Sequence, residues 1–105
     1  MASPPEMTDR NDMTLWASDV LLDDLLARAG DWSAWAEPEQ LDFFLEWEEM
    51  MDRVTGVVED EASGLLTVAQ RDRLAKLARR LIAARPVIEQ LGLDYPNLGR
   101  LSLAS

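Results

Sequence analysis

A chain of 105 residues with 48% apolar and 29% charged side chains has the balance of a single folded domain and not that of a disordered chain. Cysteine and histidine are both absent, which excludes disulfides, thiolate chemistry, imidazole catalysis and nearly every zinc site. The 20 acidic residues outnumber the 10 basic residues, so the net charge is -10 at pH 7.

This charge is divided unevenly along the chain. Residues 1–66 hold 17 acidic and 3 basic side chains, whereas residues 67–105 hold 3 acidic and 7 basic ones. Folding either cancels these opposite charges between helices or displays them to a partner.

The first 13 residues predict no helix. They contain two prolines and show no apolar periodicity, which favours a flexible leader over residues 1–13. The stretch has neither a basic nor an apolar signal region, and no apolar run in the chain approaches the roughly 18 residues that span a bilayer. We therefore expect a cytoplasmic protein.

An N-terminal helix is predicted over about residues 14–29. Leu15, Leu22 and Leu25 share one of its faces, as the core-facing side of an amphipathic helix requires. Gly30 follows at the position where a glycine in the left-handed conformation commonly ends a helix.

A second, long helix is predicted over about residues 38–62. Pro38 suits its first turn, and Gly64 is expected to stop it. Its apolar residues recur every three or four positions, which is the spacing of a helix that packs on its neighbours. These residues are Phe43, Trp47, Met50, Val54 and Val57.

A third helix is predicted over about residues 67–91. Thr67 and Gln70 form a capping box, in which each side chain bonds a free backbone N–H of the other residue. Pro86 lacks an N–H and its ring clashes with the preceding turn, so we expect a kink or a break there. The apolar positions of this helix are Leu74, Leu77, Leu81, Ala84, Ile88 and Leu91.

The two long helices are predicted to pair antiparallel, because the connection between them is short. One register makes every layer apolar. It pairs Val57 with Leu74, Val54 with Leu77, Met50 with Leu81, Trp47 with Ala84, and Phe43 with Ile88. The same register places Asp60 near Arg73, and it brings Arg53 towards Arg80.

These elements predict an all-α fold: a three-helix bundle built on a long antiparallel helical hairpin. Residues 14–92 form its single domain, and residues 93–105 form a C-terminal strap or tail. Folding back over the bundle is the simpler interpretation of the tail, and a docking peptide built on its leucines is the alternative.

No catalytic or metal-binding constellation is recognisable. The serines have no histidine to act as a base, and the only lysine lies among arginines. Four acids fall within two turns of the second helix: Glu46, Glu48, Glu49 and Asp52. Their spacing leaves a carboxylate-only metal or catalytic site as an alternative, but a solvated acidic face is the simpler interpretation. We predict a non-enzymatic protein without catalytic, cofactor-binding or metal-binding residues.

The remaining surface favours binding to another protein. The third helix is rich in arginine, but the net charge of -10 opposes direct binding of nucleic acid. We predict an interaction module, that is, an adaptor, an assembly factor or an inhibitor, which binds a basic partner and forms a homodimer. The residues predicted to bind the partner are Trp32, Trp35, Leu45, Asp42, Glu48, Glu49, Asp52 and Glu59. The alternative is an acidic decoy that imitates nucleic acid and blocks a nucleic-acid-binding protein.

Overall fold

The computed structural model describes residues 9–98 and confirms the predicted all-α three-helix bundle. Its helices are α1 (Arg10–Arg28), α2 (Glu37–Ala62) and α3 (Val68–Gln90), with a short 3₁₀ helix (Ala29–Ala34) between the first two. Residues 9–98 contain no strand. None of the helices in this range is both long and apolar enough to cross a membrane.

Helix α1 begins four residues earlier than predicted. The Asp9 side chain accepts a hydrogen bond of 2.7 Å from the backbone N–H of Asn11 and so caps the helix. Asp12 therefore lies in the first turn, where it is buried. The part of the predicted leader before Asp9 lies outside the described residues.

The expected left-handed end of α1 at Gly30 is wrong. Within the described residues only Gly64 and Gly92 have positive φ angles, of 73° and 74°. Ala29 keeps helical angles after α1, and the chain tightens directly into the 3₁₀ helix, so no left-handed residue is needed. The Nε2 of Gln40 donates to the carbonyl of Trp32 at 2.7 Å and ties this turn to α2.

The start of α3 is formed as predicted. Thr67 Oγ1 accepts from the N–H of Gln70 at 3.1 Å, and Gln70 Oε1 accepts from the N–H of Thr67 at 2.9 Å. The helix then runs without a break through Pro86 to Gln90, so of the two expected outcomes the break does not occur. Pro86 and Ile82 are both exposed, so water can hydrate the Ile82 carbonyl that the proline leaves without a donor.

The hydrophobic core lies between all three helices. Helix α1 approaches both α2 and α3 closely, whereas α2 and α3 come near each other at fewer positions. The residues of the predicted register are buried apart from Met50, which is half-buried. The pairing within each layer stays a prediction.

The charged flank of the bundle differs from the predicted one. Asp60 does not pair with Arg73: its Oδ2 accepts from Asn11 Nδ2 at 3.2 Å. Arg73 Nη1 instead lies 3.3 Å from Asp12 Oδ1, on α1. The predicted hairpin did not take account of the acids that α1 supplies to this flank.

Arg80 likewise meets α1 and not Arg53. Its guanidinium bonds Asp19 at 2.7 Å and also Asp23. These bonds satisfy Arg80, raise its pKa further above its ordinary value against the opposing effect of burial, and hold α1 to α3.

The segment after α3 folds back along the bundle. Leu93 and Pro96 are buried, and Arg85 lies over the Tyr95 ring at 4.7 Å from its centroid. The indole Nε1–H of Trp47 donates to the carbonyl of Asp94 at 2.7 Å, which anchors the segment. The last leucines of the predicted strap, at positions 101 and 103, lie outside the described residues.

Candidate interaction surfaces

The two tryptophans predicted to anchor a partner lie against the protein's own core. The Trp32 and Trp35 ring centroids are 5.1 Å apart, and they lie 5.7 and 5.9 Å from that of Phe43. The guanidinium of Arg28 covers Trp35 at 5.1 Å. Both indoles are half-buried and close this end of the bundle, so much of their surface is not free for a partner.

The outer face of α2 is the more open part of the predicted surface. Leu45 is 51% exposed, and Leu41, one turn before it, is 56% exposed, although the sequence analysis did not select Leu41. Leu41 lines a shallow depression of about 480 Å³ together with Glu37, Gln40 and Phe44. The i, i+4 spacing places both leucines on one side of the helix.

Acidic side chains lie along the same side of α2 as these leucines. We use the term acidic face for the five acids of the predicted binding surface, which are Asp42, Glu48, Glu49, Asp52 and Glu59. Four of them are exposed and Glu48 is half-buried. Among the described residues, Asp42, Asp52 and Glu59 form no ion pair. The face therefore keeps uncompensated negative charge beside exposed apolar side chains.

One member of the acidic face has a basic partner. Glu49 Oε2 lies 3.3 Å from Arg53 Nη2, one turn further along α2. The predicted hairpin considered only pairs between helices and so overlooked this i, i+4 neighbour. The pair is exposed, so it contributes little to stability, but it reduces the negative charge of the face locally.

Glu48 has an acidic neighbour from the segment after α3. The nearby charge of Asp94 raises the pKa of Glu48 above its ordinary value, and partial loss of hydration and the charge of Asp52 add to the effect. Rising pH therefore sets two negative charges against each other where this segment meets α2.

We expect Glu48→Gln to reduce the loss of stability at rising pH. A carboxyl group whose pKa is raised in the folded state gives its full stabilisation below the unfolded value of 4.5, and that stabilisation is lost as pH rises through the folded pKa. Glutamine resembles the protonated acid and does not ionise, so the stability advantage of the variant should grow with pH. Thermal unfolding at a series of pH values measures this. Glu49→Gln is the control, and an equal response of both variants would contradict the assignment to Asp94.

A second surface lies between α1 and α2. Two adjoining depressions of about 560 and 590 Å³ share Ala17 and Met50. Trp16 is 57% exposed, and Met13 and Val20 are about half exposed. We call this surface the α1/α2 groove, with the apolar residues Met13, Trp16, Ala17, Val20 and Met50.

The sequence analysis missed this groove, although a signal was present. Met13, Trp16 and Val20 follow the i, i+3, i+7 spacing, which places them on one side of a helix. The buried leucines of α1 occupy a different side, so the helix has two apolar faces. The predicted leader includes Met13, so the predicted helix lacks one of the three residues that define its second apolar face.

Of the four acids considered for a carboxylate site, three have different neighbours, and the fourth, Asp52, lies near enough to Glu48 for its charge to raise the pKa of Glu48. Glu46 lines the α1/α2 groove, Glu48 lies near Asp94, and Glu49 bonds Arg53. Residues 9–98 contain no group of three or more acidic side chains placed to hold one metal ion.

The fold and its surfaces define a small acidic helical bundle with two open surfaces that combine apolar and charged side chains. Comparison of the chain with protein families, with curated proteins and with solved structures found no significant match. The function is therefore argued from the surfaces alone.

Proposed function

We propose that the protein is a non-catalytic interaction module that binds another protein through the outer face of α2. The observation that carries this proposal is the combination of two exposed leucines, Leu41 and Leu45, with the unpaired acids of the acidic face. Exposed apolar side chains within a charged rim are characteristic of protein-binding surfaces.

The two kinds of side chain have different tasks in such a surface. Burial of a leucine side chain against a partner is worth about 1.5–3 kcal/mol when it is complete, which gives affinity. The acids attract a basic partner over a longer range and mainly increase the association rate. An amphipathic basic helix that lays its apolar side on α2 fits both requirements.

The leucines also favour the module over an acidic decoy. A decoy that imitates nucleic acid needs carboxylates at the spacing of phosphates, and its binding depends mainly on charge. Leu41 and Leu45 contribute nothing to such imitation, whereas a protein-binding surface uses them directly. The role as adaptor, assembly factor or inhibitor, and the cytoplasmic location, stay predictions from the sequence.

Affinity capture from the native cell lysate with matched variants tests the proposal. The test variant is Leu41→Ala with Leu45→Ala. The control is Leu65→Ala with Val68→Ala, which truncates two exposed apolar side chains outside α2. Leu65 is 68% exposed and Val68 is 73% exposed. We expect a protein that the wild type and the control capture equally and that the test variant loses. Equal capture by all three would refute binding through this face.

The binding kinetics of the captured partner separate charge from apolar contact. Conversion of Asp42, Glu49 and Asp52 to their amides is expected to slow association and to flatten its salt dependence. Leu45→Ala is expected mainly to speed dissociation. If the amide variants abolish binding while the leucine variant has no effect, the decoy is the correct function.

A further inference from the structure

The α1/α2 groove has charges of opposite sign at its two ends. Arg10 and Arg53 line the depression at one end, and Asp23, Asp24 and Glu46 line the depression at the other. Ala17 and Met50 belong to both depressions and so mark the middle. The groove is therefore apolar along its centre, basic at one end and acidic at the other.

Two of these charged side chains lack an ion-pair partner within the described part of the chain. Arg10 and Glu46 form no ion pair within the described residues. The others have exposed or half-exposed partners: Arg53 bonds Glu49, Asp23 bonds Arg80, and Asp24 bonds Arg28. Arg10 and Glu46 lie on opposite helices as well as at opposite ends.

We propose that a second copy of this chain occupies the groove in an isologous dimer. A two-fold axis that lies across the groove, in the plane between the two copies and through Ala17 and Met50, exchanges the two ends and sets each helix against the same helix of the other copy. Arg10 lies seven residues before Ala17 and Asp24 lies seven after it, so Arg10 then faces Asp24 of the partner subunit, and the same pair forms again at the other end. On α2, Arg53 meets Glu46 of the partner subunit in the same way, on either side of Met50.

The middle of the groove suits such an axis. Ala17 is the smallest side chain of the stripe, and a small residue at the centre lets two helices approach closely. Met13 lies four residues before this centre and Val20 three residues after it, so the operation brings the two side chains near each other across the interface. The exposed Trp16, next to the axis, supplies the large aromatic side chain typical of an interface core.

A dimer of this kind goes beyond the proposed function and does not depend on it, because the outer face of α2 stays free. The Leu41→Ala, Leu45→Ala variant should lose its partner and remain dimeric. A variant that disrupts the dimer should become monomeric and still bind the partner.

Sedimentation equilibrium of the full chain, from micromolar to millimolar concentration, tests the proposal. The wild type is expected to be a dimer, and Ala17→Glu a monomer, because the substitution sets two like charges against each other across the axis. Ala83→Glu, at an exposed position of α3, is the control and is expected to stay dimeric. A monomeric wild type, or a dimer that tolerates Ala17→Glu, would overturn the proposal.

A charge exchange tests the register and remains informative if Ala17→Glu fails to fold. Arg10→Glu alone and Asp24→Arg alone are each expected to raise the dissociation constant of the dimer about ten-fold, because each acts at two equivalent places. The double variant is expected to restore the wild-type constant. Arg10 is 14 residues from Asp24 at the acidic end, about 20 Å along α1, so salt screens the two ends within one chain. Failure of the double variant to restore the dimer would exclude this two-fold arrangement.

Discussion

Trp47→Ala is expected to lower the free energy of unfolding by about 3–5 kcal/mol, which is the usual cost of removing a large aromatic side chain from a core. Trp47 has no solvent-exposed surface, and its ring centroid lies 6.1 Å from that of Phe43. The indole also donates to the Asp94 carbonyl at 2.7 Å. The substitution therefore both opens a cavity in the core and removes the hydrogen bond that anchors the segment after α3. Equilibrium denaturation by urea measures the change.

Trp47→Phe separates these two contributions. Phenylalanine keeps most of the buried ring but cannot donate a hydrogen bond, so the cost is expected to fall to about 1–3 kcal/mol. Hydrogen exchange should show the loss of protection concentrated in residues 93–98 for this variant. A cost below about 1 kcal/mol for Trp47→Ala would contradict the placement of Trp47 in the core.

Asp12→Ala is expected to lower the free energy of unfolding by about 1–3 kcal/mol, because a buried hydrogen-bond network loses its acceptor. Asp12 Oδ1 accepts from Gln70 Nε2 and from Arg73 Nη1, each at 3.3 Å. Gln70 is itself buried and caps α3 through Thr67. The carboxylate thus joins the first turn of α1 to the first turn of α3.

Two further variants identify the cause of this loss. Asp12→Asn keeps an acceptor oxygen and is expected to cost less than alanine, since Gln70 retains its partner. Asp72→Ala removes an acid whose exposed pair with Lys76 spans one turn, and it is expected to change stability by less than about 0.5 kcal/mol. Chemical denaturation of all three variants compares them directly. Equal costs for Asp12→Ala and Asp72→Ala would show that the network does not stabilise the bundle.

Prediction from the sequence was most successful where the signal is local. The capping box of Thr67 and Gln70 and the glycine at position 64 lie in the structure where helix ends require them. The start of α1 was missed because the two prolines of the first residues suggested an unstructured stretch. The signal was nevertheless present, since Asp9 caps the helix and Asp12 stands three residues later.

The candidate surface was predicted in part. The sequence favoured a solvated acidic face on α2, and Glu46, Glu49 and Asp52 are exposed there, because positions away from a core seam face solvent. It did not show which tryptophans stay exposed. Trp32 and Trp35 pack on Phe43, whereas Trp16 stands in the α1/α2 groove. This distinction depends on the path of the 3₁₀ helix, which no pattern in the sequence indicated.

The sequence by itself determined the helical class, the three helices and the side of α2 that faces solvent, because periodicity and caps act within a few residues of each other. Only the tertiary structure decided the partners of the charged side chains and the place of the segment after α3. Arg73 and Arg80 bond acids of α1 that stand some 60 positions away in the chain. Surface charges pair with whichever acid the packing of the core brings near, and exposed pairs are too weak to direct that packing themselves.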